Sequence, residues 1–235
     1  MKISNASKMP CRSWSLQAGK PSKGGTCPAS IDPETGEYVD ACKGCYALQG
    51  TYRFKNVKLS REHNMQDLKR DAWVSDMVLE LDNERYFRWF DSGDMYSLKL
   101  AEKIYSVMTL TPWIKHWLPT RMHKFTKFNN ILRAMGELPN VCVRRSSDSV
   151  LGEYTAGLHG STISGRLEKN ENGKKVFIGE IPQGTELCRA FENGDKCGTC
   201  RACWSKDGNV ITYPGHGSSM NKVQTLNLIK LKEAA

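Results

Sequence analysis

The stretch Arg85-Tyr86-Phe87-Arg88-Trp89-Phe90-Asp91-Ser92-Gly93-Asp94-Met95-Tyr96-Ser97 decides how this chain is read. It opens as an aromatic, strand-like run and ends in a polar turn with two carboxylates. A helical pattern follows from about Leu98 to Met108. Strand, polar turn and helix make a βα unit, and α/β folds carry their chemistry at the carboxyl end of the strand. Asp91 falls at that end. Asp94 falls where a helix N-terminus favours negative charge. Asp-Ser-Gly-Asp is also ordinary turn chemistry, so a turn residue and a cap are the plainer roles for the pair.

A second such unit and then a third strand follow. Trp113 to Leu118 reads as a strand ending in Pro119-Thr120-Arg121, with His123 and Lys124 on the loop beyond and a short helix from Phe128 to Met135. Asn140 to Arg145 reads as a third strand, ending in Ser146-Ser147-Asp148-Ser149. A parallel sheet brings Asp91, Arg121 and Asp148 to one edge. Upstream, Leu68, Trp73, Val74, Met77, Val78 and Leu81 recur at helical spacing, so residues 57–82 form one or two helices. Asn172-Gly173 marks a hairpin turn before a short strand at Val176 to Gly179. Lys222 to Ala235 reads as an amphipathic helix packed on the body. The 235 residues suit a single domain over 1–235. Its parts are an irregular cysteine-containing segment at 1–55, an α/β core at 56–185, and a knuckle with a C-terminal helix at 186–235. The expected fold class is α/β, a compact or incomplete TIM-like (β/α) barrel.

The nine cysteines divide into four early, four late and one, Cys142, in an apolar strand. No window approaches the roughly 18 apolar residues of a membrane span, and Met1 to Asn5 lacks a signal core. The chain is therefore expected to be cytoplasmic, with no membrane partner, and its thiols to bind metal rather than form disulfides. Cys42-x-x-Cys45, with fourteen residues between Cys27 and Cys42, is one candidate site. Cys11 could complete it as a closed structural set. Without Cys11, the three thiolates could hold a [4Fe-4S] cluster with one open iron. Cys197-x-x-Cys200-x-x-Cys203 with Cys188 is the second site, with His216 able to replace Cys188. Four of those five residues make a closed zinc set. The formal net charge of +9 is consistent with DNA as partner, as are basic residues interleaved with Phe125 and Phe128. No phosphate-binding glycine loop or Gly-x-Ser-x-Gly elbow is present.

Two families are similar at these residues. Ala41-Cys42-Lys43-Gly44-Cys45-Tyr46-Ala47, the Trp89 to Asp94 turn, the strand ending in Thr120-Arg121 and the Cys-x-x-Cys-x-x-Cys-Trp run resemble the phage gene product 88 family. That likeness implies a phage origin, with action in the host cytoplasm. Asp91-Ser92-Gly93, Leu118-Pro119-Thr120-Arg121 and the late Cys197, Cys200, Cys203 and His216 resemble the guanine transglycosylases, TIM-barrel enzymes with two catalytic aspartates and a zinc site. Asp94 stands where those enzymes have glycine, and Lys115 where the tRNA enzymes have an aspartate, so Asp148 takes the nucleophile's place. The resemblance implies an exchange of guanine in DNA for a 7-deazaguanine small molecule, with Asp148 as nucleophile and Asp91 as base. The two roles could also be exchanged. Ser92, Gly93, Asp94, Arg121, Lys124 and Phe125 would hold the substrate, a flipped base among them. A radical S-adenosylmethionine enzyme, with its cluster on Cys27, Cys42 and Cys45, is the alternative. A non-catalytic zinc module that binds DNA is the second alternative.

Overall fold

The computed structural model describes residues 1–155, 159–208 and 210–233. Its first half contains β1 (Ile3–Asn5), β2 (Arg12–Trp14), α1 (Asp40–Lys43), α2 (Lys55–Asp67), α3 (Trp73–Glu80), β3 (Tyr86–Trp89) and α4 (Leu98–Leu110). There follow β4 (Lys115–Thr120), α5 (Asn129–Glu137), β5 (Val141–Ser146), β6 (Gly160–Lys169), β7 (Lys175–Ile178), β8 (Thr185–Leu187), β9 (Val210–Gly215) and α6 (Ser218–Glu233). All nine strands belong to one sheet, ordered β1-β2-β3-β4-β5-β6-β9-β8, with β7 added to β6. The strands from β2 to β8 along this order run parallel, while β1 and β7 are antiparallel to their partners.

The two βα units, β3–α4 and β4–α5, and the third strand β5 form as expected. In β3 the period-2 alternation sends Phe87 and Trp89 into the main core and leaves Tyr86 and Arg88 on the other face. The turn after β3 ends at Ser97, whose hydroxyl accepts from the Leu100 amide and caps α4. Helix α4 buries Leu100, Ala101, Ile104, Val107 and Met108, the helical stripe against the sheet. Helices α3, α4 and α5 pack in succession on this face. Trp14 of β2 joins them, in edge contact with Trp73, Trp89 and Phe90.

The opposite face has no helix from these units. Trp117 of β4 meets Trp204 there, with ring centroids 5.1 Å apart. The Trp204 indole donates to the Phe87 carbonyl at 3.0 Å. Arg144 of β5 is fully buried and donates to the carbonyls of Ala202, Cys203 and Ser205. The late cysteine run is thus clamped across the sheet by aromatic packing and by backbone carbonyls that a buried guanidinium satisfies.

Several elements depart from the expectation. The segment 1–55 supplies β1 and β2, and β2 is the first strand of the parallel series. Residues 150–185, which look like polar connection, hold β6, a ten-residue strand. Its opening Gly160-Ser161-Thr162-Ile163-Ser164-Gly165 has no apolar alternation, because small residues are wedged between two neighbours. Among the described residues no pairing joins β1 to β8, so the α/β class holds but the sheet is open and closure into a barrel is not seen. Helix α6 packs through Met220, Val223 and Gln224, and Leu226, Leu228, Ile229 and Leu231 are exposed. Ala234 and Ala235, the end of the expected helix, lie outside the described residues.

One buried polar link in the core has a pH signature. His116 of β4 is fully buried; its Nδ1 accepts from the Trp89 indole at 3.3 Å and its Nε2 lies 2.9 Å from the Thr111 hydroxyl. Burial pulls its pKa down to about 3. The unfolded chain therefore binds this proton first, so the stability held above the ordinary histidine pKa is lost as pH falls from about 6.5 towards 3. We expect unfolding free energy to drop across that window by up to about 1.4 kcal/mol per pH unit more in the wild type than in His116→Gln. Chemical denaturation at several pH values measures this, and parallel slopes would show His116 titrating normally.

Candidate active site at the carboxyl edge of the sheet

Because β2 to β5 run parallel, the loops leaving them open at one edge. The loop after β3 begins with Phe90, held at φ +56°. A bulky residue in this left-handed region is strained. Its amide is fixed by the Trp14 carbonyl at 2.8 Å, and its ring lies in the core. The reversal presents Asp91 at the edge. Gly93, at φ +80°, packs so closely on Leu16 and Thr26 that a Cβ would lie 2.6 Å from the Thr26 hydroxyl oxygen.

Asp91 sits in a ring of donors. The Tyr52 hydroxyl lies 3.0 and 2.8 Å from its two carboxylate oxygens. Arg88 stands 3.6 Å away and Arg61 4.0 Å. The Asp91 amide donates to Ser15 Oγ at 3.0 Å, and its carbonyl accepts from the Tyr46 hydroxyl at 2.8 Å. Burial and then the nearby Tyr46 and Asp91 push the Tyr52 phenol well above its ordinary pKa, so it stays a donor. Ser92 is turned inward, accepting from Arg61 Nε and donating to the Leu16 carbonyl at 2.7 Å.

Asp94 is an internal brace. It accepts from the Thr120 hydroxyl at 2.7 Å, the Arg121 amide at 2.9 Å and the Met95 amide at 2.8 Å. These bonds join the turn after β3 to the end of β4. Burial raises its pKa, and the three donors oppose that shift. Asp148, after β5, is paired with Lys124 and with Arg121 Nε, 3.2 Å away. The second pair lacks hydrogen-bond alignment, so Arg121 Nε and Asp148 Oδ1 are buried atoms without a hydrogen-bond partner. Phe125 lies beyond on the same loop, part exposed.

The early cysteines come to this edge. Cys27 follows Thr26, whose hydroxyl receives the Asp94 amide at 3.4 Å. Cys42 is carried by α1, and the neighbouring Ala41 amide donates to the Asp148 carbonyl at 2.9 Å. Gly44, between Cys42 and Cys45, lies against the start of α6, where a Cβ would stand 2.7 Å from the Met220 backbone. Burial raises all three thiols, Cys27 to about 12, and the Cys27 thiol lies in the field of both others. Burial disfavours the charge on Arg121, and the carboxylates of Asp148 and Asp94, with the Cys42 and Cys45 thiols beside them, lie close enough to outweigh it. Its guanidinium therefore sits among two thiols and two carboxylates.

Cys11 is elsewhere. It is buried on the face opposite α3, α4 and α5 with Trp117 and Trp204, in the cluster that Cys203 also joins, and its thiol lies in the field of Arg88 and Cys197. The closed early set with Cys11 as fourth ligand is therefore not formed. Among the late cysteines, Cys188 lies in the field of Cys197 and Cys200, and Cys203 Sγ is 3.1 Å from the Tyr213 hydroxyl. His216 instead stacks on Tyr46, 6.2 Å between centroids, with Lys8, Asp195 and Lys175 as its charged neighbours. Among the described residues no three Cys, His, Asp or Glu side chains are gathered tightly enough for a single metal ion. The buried, mutually repelling early thiols still suit a thiophilic group, because a bound cation offsets the cost of ionising them.

Tyr46, Tyr52, Arg61 and Arg88 were not expected at the site. Arg88 lies within the decisive stretch and Tyr46 beside Cys45, whereas Tyr52 and Arg61 carry no local signal. The fold and site define an α/β protein with a singly wound parallel sheet and a thiol- and carboxylate-lined mouth at its carboxyl edge. A family model described as Gene product 88 matches residues 2–206, and the chain belongs to that phage family. No curated protein and no solved structure matches it.

The two kinds of carboxylate can be told apart. Asp94→Ala strands three donors, two of them backbone amides, and is expected to cost about 1–3 kcal/mol of stability. Asp148→Ala, at a more open position, is expected to change stability by well under that. Urea unfolding of both variants checks the contrast, and equal losses would mean Asp94 is not the brace described.

Proposed function

We propose that the chain is an iron–sulfur enzyme of the radical S-adenosylmethionine type, with its cluster on Cys27, Cys42 and Cys45. The observation that carries this reading is the number of thiols at the mouth. These three come to the carboxyl edge, while Cys11 lies on the face opposite α3, α4 and α5. Three protein ligands leave one coordination position open, as a reactive centre requires and a structural one does not.

When bound, the cluster supplies one electron and an open iron beside which S-adenosylmethionine is held. The protein's own groups have separate tasks. Arg121 and Lys124 offset the charge of ionised thiols and offer donors to a carboxylate ligand. Asp91, steadied by Tyr52, Arg61 and Arg88, offers an acceptor on the other side of the mouth. The consecutive order β2 to β6 is that of a (β/α) barrel left open, which gives a large substrate access. The net charge of +9 suits a polyanion, and DNA is the substrate class we propose.

A second reading rests on one observation, that Asp91 and Asp148 both stand at this edge. It is base exchange in DNA, with guanine replaced by a 7-deazaguanine through an Asp nucleophile and an Asp base. Each carboxylate, however, is already paired with cations.

Protein reconstituted anaerobically with iron and sulfide is expected to turn brown and to hold about four irons at this site. Cys27→Ala, Cys42→Ala and Cys45→Ala should each lose them. With dithionite as electron donor it is expected to cleave S-adenosylmethionine to methionine and 5′-deoxyadenosine, the added hydrogen atom coming from substrate. Intact S-adenosylmethionine over a fully reconstituted cluster would sink this reading. Incorporation of a labelled 7-deazaguanine into DNA, lost in Asp91→Ala, would establish the second reading instead.

A further inference from the structure

We infer that Cys11 joins the late cysteines in a second, all-thiolate metal centre on the face of the sheet opposite α3, α4 and α5, one that staples the N-terminal strands to the knuckle. The inference is independent of what the early cysteines bind. Cys11 comes one residue before β2, and the late run lies almost two hundred residues away in sequence. The fold nevertheless places Cys11 and Cys203 in one small cluster with Trp117 and Trp204.

Backbone and charge links pin the same two segments. The Cys197 amide donates to the Lys8 carbonyl at 3.0 Å. The Lys8 ammonium stands 3.4 Å from Asp195, which also pairs with Lys175. On the knuckle side, the Cys188 amide donates to the Thr212 carbonyl of β9 at 2.8 Å, and Cys200 follows Cys197 by a tight turn, amide to carbonyl 3.0 Å. The thiols are linked pairwise, Cys11 lying in the field of Cys197, Cys188 in that of Cys197 and Cys200, and Cys203 in that of Cys188; among the described residues no three of them converge on one point, so ligation has to draw them together. His216 stacks on Tyr46 at the border of this region, with Lys8, Asp195 and Lys175 rather than a thiol as its charged neighbours.

The chemistry follows from the donor set. Thiolates alone select a thiophilic group, a zinc ion or an iron–sulfur cluster. Cysteines at two-residue spacings with a remote cysteine as further ligand are a pattern that clusters use, and four thiolates also close a zinc site. With at least four protein ligands no position is left for a substrate. The role is to hold the knuckle and the β1–β2 edge together over the strands that end in the active site. Ligation by Cys11 makes the staple long-range, which local ligation by the late run could not do.

The test uses full-length protein in which Cys27, Cys42 and Cys45 are all alanine, so that any metal retained belongs to the second centre. This parent is expected to keep bound metal, with zinc or iron plus sulfide distinguished by elemental and sulfide analysis. In that background Cys11→Ser is expected to release its metal to a chelator at least about tenfold more readily, and His216→Gln to release it as the parent does. Loading with cobalt(II) gives a second readout, with a thiolate-to-metal absorption band weaker in Cys11→Ser. If Cys11→Ser proves unstable, the wild-type side chain still reports. Alkylation of the folded parent should label Cys11 together with the late cysteines only after chelation. A parent without metal, retention by Cys11→Ser equal to the parent's, or labelling of Cys11 while the late cysteines stay protected would overturn the inference.

Discussion

Strands that run in one direction can release their loops at only one edge, and the rest of this structure depends on that constraint. Because β2, β3, β4 and β5 are neighbours in register, Ser15, Asp91, Arg121 and Asp148 emerge side by side. Asp94 then turns proximity into geometry. Its buried carboxylate satisfies donors at the end of β4 from a turn at the end of β3. The charge is costly to bury and is retained because three hydrogen bonds converge on it.

The electrostatics of the mouth follow from what is packed around it. Arg121 stands where two thiols and two carboxylates meet, and Arg88 and Arg61 face Asp91. Cations therefore outnumber ionised acids near thiols that burial keeps protonated. That balance favours a negatively charged group or ionised thiolates over a second free carboxylate. It is the physical reason for setting the cysteines, rather than the aspartates, at the centre of the proposed chemistry.

The two faces of the sheet divide the labour. One carries α3, α4 and α5 on an aromatic and aliphatic core. The other is closed by a short irregular knuckle that could not bury itself unaided. Trp204 and Arg144 anchor it, one by filling space against Trp117 and the other by satisfying carbonyls that would be buried without partners. Arg88 reaches from this face to Asp91, so the knuckle side and the mouth share a residue.

What the sequence determined alone was local. Alternation in 86–89, short apolar runs in 115–120 and 141–146, and helical stripes in 73–80, 98–110 and 129–137 specify their elements, and both cysteine groups show in their spacing. The short β2 and the small-residue strand β6 were invisible, because their strand character comes from neighbours and not from their own side chains. The tertiary structure alone decided which thiols keep company. Cys11 is sixteen residues from Cys27 yet lies on the other face of the sheet, with Cys203. The reason is the pleat and direction of β2: Cys11 precedes that strand and the loop to Cys27 follows it, so the two leave from opposite ends. A spacing read along the chain cannot register a strand that lies between them.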